Sequence, residues 1–478
     1  MNEIPGEILN AYDHKNFEEN AEGILKFISG YLKEVCHGNF NSVLTGISPL
    51  NMLNEWDGDF TLSGVDKNEL YQKVMDLSQH IHHPNYIGHQ VTAPLPLSAL
   101  FSIITSLLNN SSAVYEMSPV DTILQKRIVE WMCGKIGYDN TSDGVLTNGG
   151  TIGNLTALLA ARENKVEGVW KKGVNNSKLC ILASELSHYS IDRAAGVMGL
   201  GTDSVIKIPV DKNSRIDTTK LEELYSKKIN DGFTVIALVA NAASTATGCY
   251  DDFNTIADFC ESHNIWFHVD GAHGASALLS EKYKYLLSGI NRADSVVWDL
   301  HKMMLMPALA TGVLFKKGIN SYKTFLQEAS YLFKNDPESE WFNYAHRTLE
   351  CTKNMMGTVP YLSLKYYGES FFSNYIDYVY DLTNEFALII NNSPDLKLGV
   401  FPDSNIICFR YESGAKNTDS LQSQIRERIL KSEEFYLVQT RLFDKLYLRC
   451  TIINPLTKLD NLLQLLEEIR QIINTIEL

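Results

Sequence analysis

The sequence predicts an α/β protein built on a mainly parallel β-sheet, with a small α+β domain at its C-terminal end. Three observations carry this reading. Short apolar runs at Leu179–Ala183, Phe233–Ala240, Ile265–Val269 and Ser295–Trp298 alternate with longer segments of helical spacing. Strand, helix, strand at that repeat builds parallel sheets with right-handed crossovers. Polar residues follow these runs directly, as they do where ligands bind at the carboxyl edge of such a sheet. Past residue 400 the pattern changes: Asn405–Arg410 and Lys445–Ile453 read as paired antiparallel strands, followed by a helix over Asp460–Ile473.

Composition sets the outer bounds. With 478 residues and 45% hydrophobic content the chain can bury a large core. Its formal charge of −15, with no basic block, argues against a nucleic-acid or anionic-membrane partner. The eight cysteines are scattered without a CxxC pair, which suggests neither a zinc ribbon nor a disulfide framework and fits a reducing cytoplasm. The first twenty residues lack a basic start and an apolar run, and no later stretch is apolar for long enough to span a bilayer. A cytoplasmic protein is expected.

Taken in order, the apolar residues Ala21, Ile24, Leu25, Phe27, Ile28 and Leu32 recur at helical spacing between Asn20 and Val35 and predict an amphipathic helix. Its apolar face needs a cover, from its own large domain or from a second subunit. A proline-punctuated loop then leads into a helix around Ala99–Leu108, expected to be buried. His82, His83 and His89 precede it, but no cysteine or carboxylate stands at a matching interval and no metal is expected. GVLTNGGTIGNLTALLAAR, from Gly144 to Arg162, passes from strand through a Gly-Gly turn into a helix whose first amides suit a phosphate. The glycines fall at 149, 150 and 153, which is not GxGxxG and counts against a dinucleotide site.

The later strands carry the chemistry. Leu179–Ala183 leads to His188, and Phe233–Ala240 leads to NAASTATGCYDDF, whose Asp251 and Asp252 open the next helix. Ile265–Val269 delivers Asp270, and Ser295–Trp298 delivers Asp299, His301 and Lys302. A lysine beside apolar strand ends is expected to lose its proton readily enough to condense with an aldehyde, and a carboxylate nearby can hold a ring nitrogen protonated. Those are the two groups that a pyridoxal phosphate (PLP) site needs most. After the return strand Gly312–Phe315, the polar stretch from Ser321 to Lys353 has the length of a mobile lid and contains Tyr331.

HVDGAHG followed by DLHKMM resembles the HVDAAWGG and DPHKW signatures of the group II PLP-dependent amino-acid decarboxylases, and the likeness runs in order from about Asn20 to the C-terminus. The resemblance implies the PLP-dependent transferase fold (fold type I), with a seven-stranded sheet covered by helices on both faces. It implies an N-terminal dimerisation arm over 1–85, a PLP-binding domain over 86–355 and a small domain over 356–478. By motif position, Lys302 carries the cofactor, Asp270 pairs with its ring nitrogen and His188 stacks on the ring. Gly149, Gly150, Thr151 and Asn154 match the phosphate loop, with Ile152 and Gly153 in place of the usual Glu-Ala. Ser244, Thr245 and His301 stand beside the cofactor, and Tyr331 aligns with the catalytic-loop tyrosine. His89, Gln90, Thr122, His273 and Arg449 become candidates for the substrate pocket. Gly271 and His273 replace the usual alanine and aromatic residue, and DLHK replaces DPHK.

The implied reaction is decarboxylation of an L-amino acid, in a homodimer with shared active sites. The polar His89, Gln90, His273 and Arg449 favour an acidic or polar substrate such as glutamate, aspartate or diaminobutyrate. An aromatic L-amino-acid decarboxylase, another enzyme of the same fold (an aminotransferase or carbon-sulfur lyase) and a non-catalytic relative remain the alternatives.

Overall fold

The computed structural model describes all residues except 1–2, 41, 57, 62–63, 65, 176, 326–339, 413–417 and 477–478. They divide into two units. The first gathers Met1–Gly88, Ser423–Leu437 and Asn454–Leu478. Its longest element is α1 (His14–Cys36), which starts where the Asp13 carboxylate accepts from the Lys15 and Asn16 amides. Part of its apolar stripe stays open, with Phe17, Leu25 and Ile28 exposed. The helix Leu459–Thr475, expected over Asp460–Ile473, buries Leu462, Leu465, Leu466, Ile469 and Ile473 along one face. Asn454 fastens the chain by donating to the Ile81 and His83 carbonyls at 3.0 and 2.9 Å.

The second unit comprises His89–Gln422 and Val438–Ile453. Its central sheet has seven strands: β1 (Asp143–Thr147), β2 (Leu179–Ser184), β3 (Val205–Ile208), β4 (Thr234–Asn241), β5 (Trp266–Asp270), β6 (Ser295–Asp299) and β7 (Thr311–Phe315). They lie in the order β1-β7-β6-β5-β4-β2-β3, with β7 antiparallel to both neighbours and the remaining pairs parallel. Every residue of β2, β5, β6 and β7 is buried, which is why these strands read as nearly continuous apolar runs. Alternate side chains feed two cores: Leu238 and Ala240 belong to one, Ala237 and Val239 to the other. Helices therefore pack on both faces, as the α/β reading requires.

Four further strands, β8 (Leu396–Leu398), β9 (Ile406–Tyr411), β10 (Val438–Leu442) and β11 (Lys445–Thr451), form a second, antiparallel sheet in the order β10-β11-β9-β8. One expectation needs correcting. The helix α2 (Pro96–Leu108) forms, but only Ser98 is buried along it, and Leu100, Ile103, Ile104, Leu107 and Leu108 are exposed. Apolar residues occupy most of its circumference, whereas the neighbouring chain covers only the Ser98 side, where Ser98 and Ser363 hydroxyls meet at 2.7 Å.

Candidate active site

Parallel register sets three polar residues side by side. Asn241 at the end of β4 pairs with Asp270 at the end of β5, and Asp270 pairs with Val297, two residues before Asp299 ends β6. The turn after β6 brings His301 and Lys302, the loop after β2 brings His188, and the loop after β1 runs from Asn148 into the helix α3 (Gly150–Lys165). Together with Thr151, Asn154, Thr245, Ala272, His273 and Leu309 they line a cavity of about 300 Å³. Gly149 turns into α3 at φ +90°, a conformation that side-chain-bearing residues rarely adopt. The first amides of α3 have no carbonyl a turn earlier and sit at the positive end of the helix dipole.

The charges in the cavity are paired. Lys302 Nζ lies 2.8 Å from Asp299 Oδ2, and the Thr311 hydroxyl donates to Asp299 Oδ1 at 2.6 Å. Burial opposes the Asp299 charge, but Lys302 and His301 outweigh it and hold the carboxyl below the usual carboxylate range. Burial likewise opposes the Lys302 charge, but Asp299, helped by Asp270, holds the ammonium above the usual lysine range. This corrects the expectation of an easily deprotonated lysine: a buried carboxylate three residues earlier outweighs the apolar surroundings. Asp270 accepts from Asn154 Nδ2 at 2.9 Å and from the Ala272 amide at 3.3 Å. The His188 imidazole is held below its usual range by burial, with Lys302 adding to the effect and Asp270 opposing it. His273 is buried with Nε2 2.7 Å from Asn405 Oδ1, and burial followed by the Lys302 charge pushes it down to about 3.

Residues 64–412 match the family model described as the pyridoxal-dependent decarboxylase conserved domain. The chain belongs to that family. It is 26% identical over 428 residues to an L-2,4-diaminobutyrate decarboxylase of Acinetobacter baumannii, covering 85% of this chain and 84% of the relative. It is 30% identical over 347 residues to a cysteine sulfinic acid decarboxylase of Rattus norvegicus, covering 71% and 70%. The crystal structure of mouse CSAD in its apo form shares the fold, with a TM-score of 0.87 at 23% identity over 95% of this chain and 99% of that one. The protein is thus a PLP-dependent amino-acid decarboxylase, and the two named relatives differ in substrate, one cationic at its side chain and one anionic.

The decarboxylase's cavity fits the cofactor. It offers an amine for an aldehyde, a carboxylate for a pyridine nitrogen, an imidazole for a ring face and helix-start amides for a phosphate.

Not every residue picked out of the sequence reaches this cavity. Ser244 does not line it, and its hydroxyl accepts from the Ala246 amide at 3.3 Å. Thr122 is buried and donates to the Ser118 carbonyl at 2.8 Å. Arg449 on β11 donates to the Thr245 carbonyl at 2.6 Å and so touches the wall from outside. His89 is exposed and Gln90 half-buried, and neither lines the cavity. Tyr331 lies outside the described residues. Sequence reasoning passed over Asn148 and Asn241 as cavity residues and placed Asp299 at the sheet edge without giving it a role, although Asn241 and Asp299 both end buried strands at the carboxyl edge, where ligands bind.

Proposed function

We propose that this decarboxylase removes the α-carboxyl group of an acidic or otherwise polar L-amino acid, releasing carbon dioxide and the amine. The observation that carries this reading is the composition of the cavity wall. Asn148, Thr151, Asn241, Thr245 and His273 contribute polar side chains, and among the described residues no Phe, Tyr or Trp lines it. A ring-bearing substrate would lay its ring against amides and hydroxyls, without the aromatic contacts that such rings gain elsewhere.

Lys302 would hold the cofactor aldehyde, Asp270 the ring nitrogen, His188 the ring face, and the amides from Gly150 onward the phosphate, with Thr245 and His301 beside it. Bound PLP supplies a conjugated ring that draws off the electron pair left on Cα as carbon dioxide departs. The chain's own groups do the rest. Asp270, a carboxylate braced by Asn154 and the Ala272 amide, would keep a proton on the ring nitrogen. Asp299 holds a proton on Lys302 whenever that amine is not covalently engaged. Tyr331 returns a proton to Cα, which decides whether amine or carbonyl product leaves.

The active form would be a homodimer in a reducing compartment, the cytoplasm. Support comes from the exposed apolar residues of α1 and α2, and from eight free cysteines, six of them buried. Screening the purified holoenzyme against the standard amino acids, diaminobutyrate and cysteine sulfinate, with amine, carbon dioxide and keto acid all measured, tests the substrate reading. Acidic or polar substrates are expected to lead; an aromatic amine as the main product would refute the preference, and keto acid without carbon dioxide would refute the reaction.

A further inference from the structure

We infer that His268 is a positioning residue: it fixes which way round the Asn154 amide stands, and through that amide sets the hydrogen bonds of both Asp270 and His188. The inference rests on the roles given above to Asp270 and His188. It follows from donors and acceptors whose identities are forced one after another. An ionised Asp270 can only accept, so the Asn154 atom 2.9 Å from Asp270 Oδ2 is the amide nitrogen. The Asn154 oxygen then faces His268 Nε2 at 2.9 Å. A carbonyl oxygen cannot donate, so Nε2 carries the proton.

His268 is fully buried on β5, and burial drives its imidazole down to about 4 against the pull of Asp270, so it is neutral and Nδ1 is bare. The Ser295 hydroxyl, 2.8 Å from Nδ1, therefore donates to it. Its oxygen in turn accepts from Trp266 Nε1, which can only donate, at 2.8 Å. The second proton of the Asn154 amide goes to Ser190 Oγ at 2.9 Å. The Ser190 hydroxyl then donates to His188 Nδ1 at 2.9 Å, and the Ser190 amide points at the same nitrogen at 3.3 Å. Neutral His188 consequently carries its proton on Nε2.

One amide thus joins the group assigned to the ring nitrogen to the group assigned to the ring face. Asn154 is 1% exposed, and His268 and Ser295 are 0% exposed, so water has no access to replace a missing donor. Without the His268 donor the Asn154 carbonyl is stranded, and the reversed amide sets that oxygen against Asp270. Either state loosens both contacts. His268→Phe keeps the ring and removes both nitrogens, whereas His268→Gln restores a donor near the Nε2 position.

Two measurements test this. Nitrogen-15 spectra of histidine-labelled apoenzyme should show His268 and His188 as neutral rings protonated on Nε2 alone between about pH 7 and 8. An Nδ1-protonated or cationic His268 would overturn the inference, whether or not any variant folds. PLP binding to folded His268→Phe should be weaker by about tenfold, the worth of one buried hydrogen bond, and His188 should lose its single-tautomer pattern. His268→Gln should recover both to within about twofold of the parent. A folded Phe variant with parental affinity, or a Gln variant no better than Phe, would equally overturn it. Borohydride reduction of the parent holoenzyme, followed by peptide mapping, separates this from the functional reading: a label away from Lys302 sinks the cofactor assignment and leaves the tautomers standing.

Discussion

Replacing Asp299 by Asn should release the Lys302 proton far more easily, and the structure sets the size of the effect. The two charges stand 2.8 Å apart, Asp299 is 1% exposed and the Lys302 side chain 21%. At an effective dielectric of about 20, charges at that distance attract by roughly 6 kcal/mol. Asp270 remains to support the ammonium, and an amide oxygen still accepts its hydrogen bond, so part of that support survives in the variant. The direction follows from the signs: Asp299 raises Lys302 above its ordinary value, so removing the negative charge lowers it. Competitive acetylation of the apoenzyme, with the Lys302 peptide quantified by mass spectrometry across pH 6 to 11, reads this without the cofactor. The reactivity inflection should move to lower pH in Asp299→Asn; an unchanged inflection would refute the reasoning.

Asp270→Asn should leave the fold intact and abolish nearly all turnover, checked by circular dichroism beside the carbon dioxide release rate. Tyr331→Phe should divert product from amine to carbonyl compound and deplete the cofactor, seen by quantifying both products against bound PLP. Gly271→Ala, although alanine is usual in the resembled motif, should destabilise by about 1–3 kcal/mol in denaturant unfolding, because the added Cβ would lie 2.8 Å from the Val297 carbonyl and 2.9 Å from Ala275 Cβ. Arg347→Met should cost about 1–3 kcal/mol at neutral pH, because it removes the fully buried guanidinium that meets Asp143 at 2.8 Å and leaves the carboxylate with Lys126 alone, at 2.9 Å. Arg347 and Lys126 overcome burial and hold Asp143 below its ordinary value, so the stability it contributes is present above about pH 4 and fades as pH falls through the depressed value. The gap between parent and Arg347→Met should narrow on acidification, and a constant gap down to pH 3 would count against this.

The sequence alone determined the alternation of buried strands with helices, because strands covered on both faces leave unbroken apolar runs such as Val235–Ala240. It also determined that Asp270, His188 and Lys302 follow such runs, since their types and positions are local facts. Only the tertiary structure decided which of the remaining polar residues share the cavity. Asn241 and Asp299 enter it through strand register, which pairs residues dozens of positions apart, and Thr122 and Ser244 turn away through hydrogen bonds to nearby backbone groups. The protonation of Lys302 was beyond local reading for a related reason. Whether a buried amine keeps its charge depends on how close a carboxylate comes, and that distance is set when the turn after β6 folds back on itself. The same holds for Asn154, whose amide is oriented by a histidine 114 residues away that spacing alone gives no reason to single out.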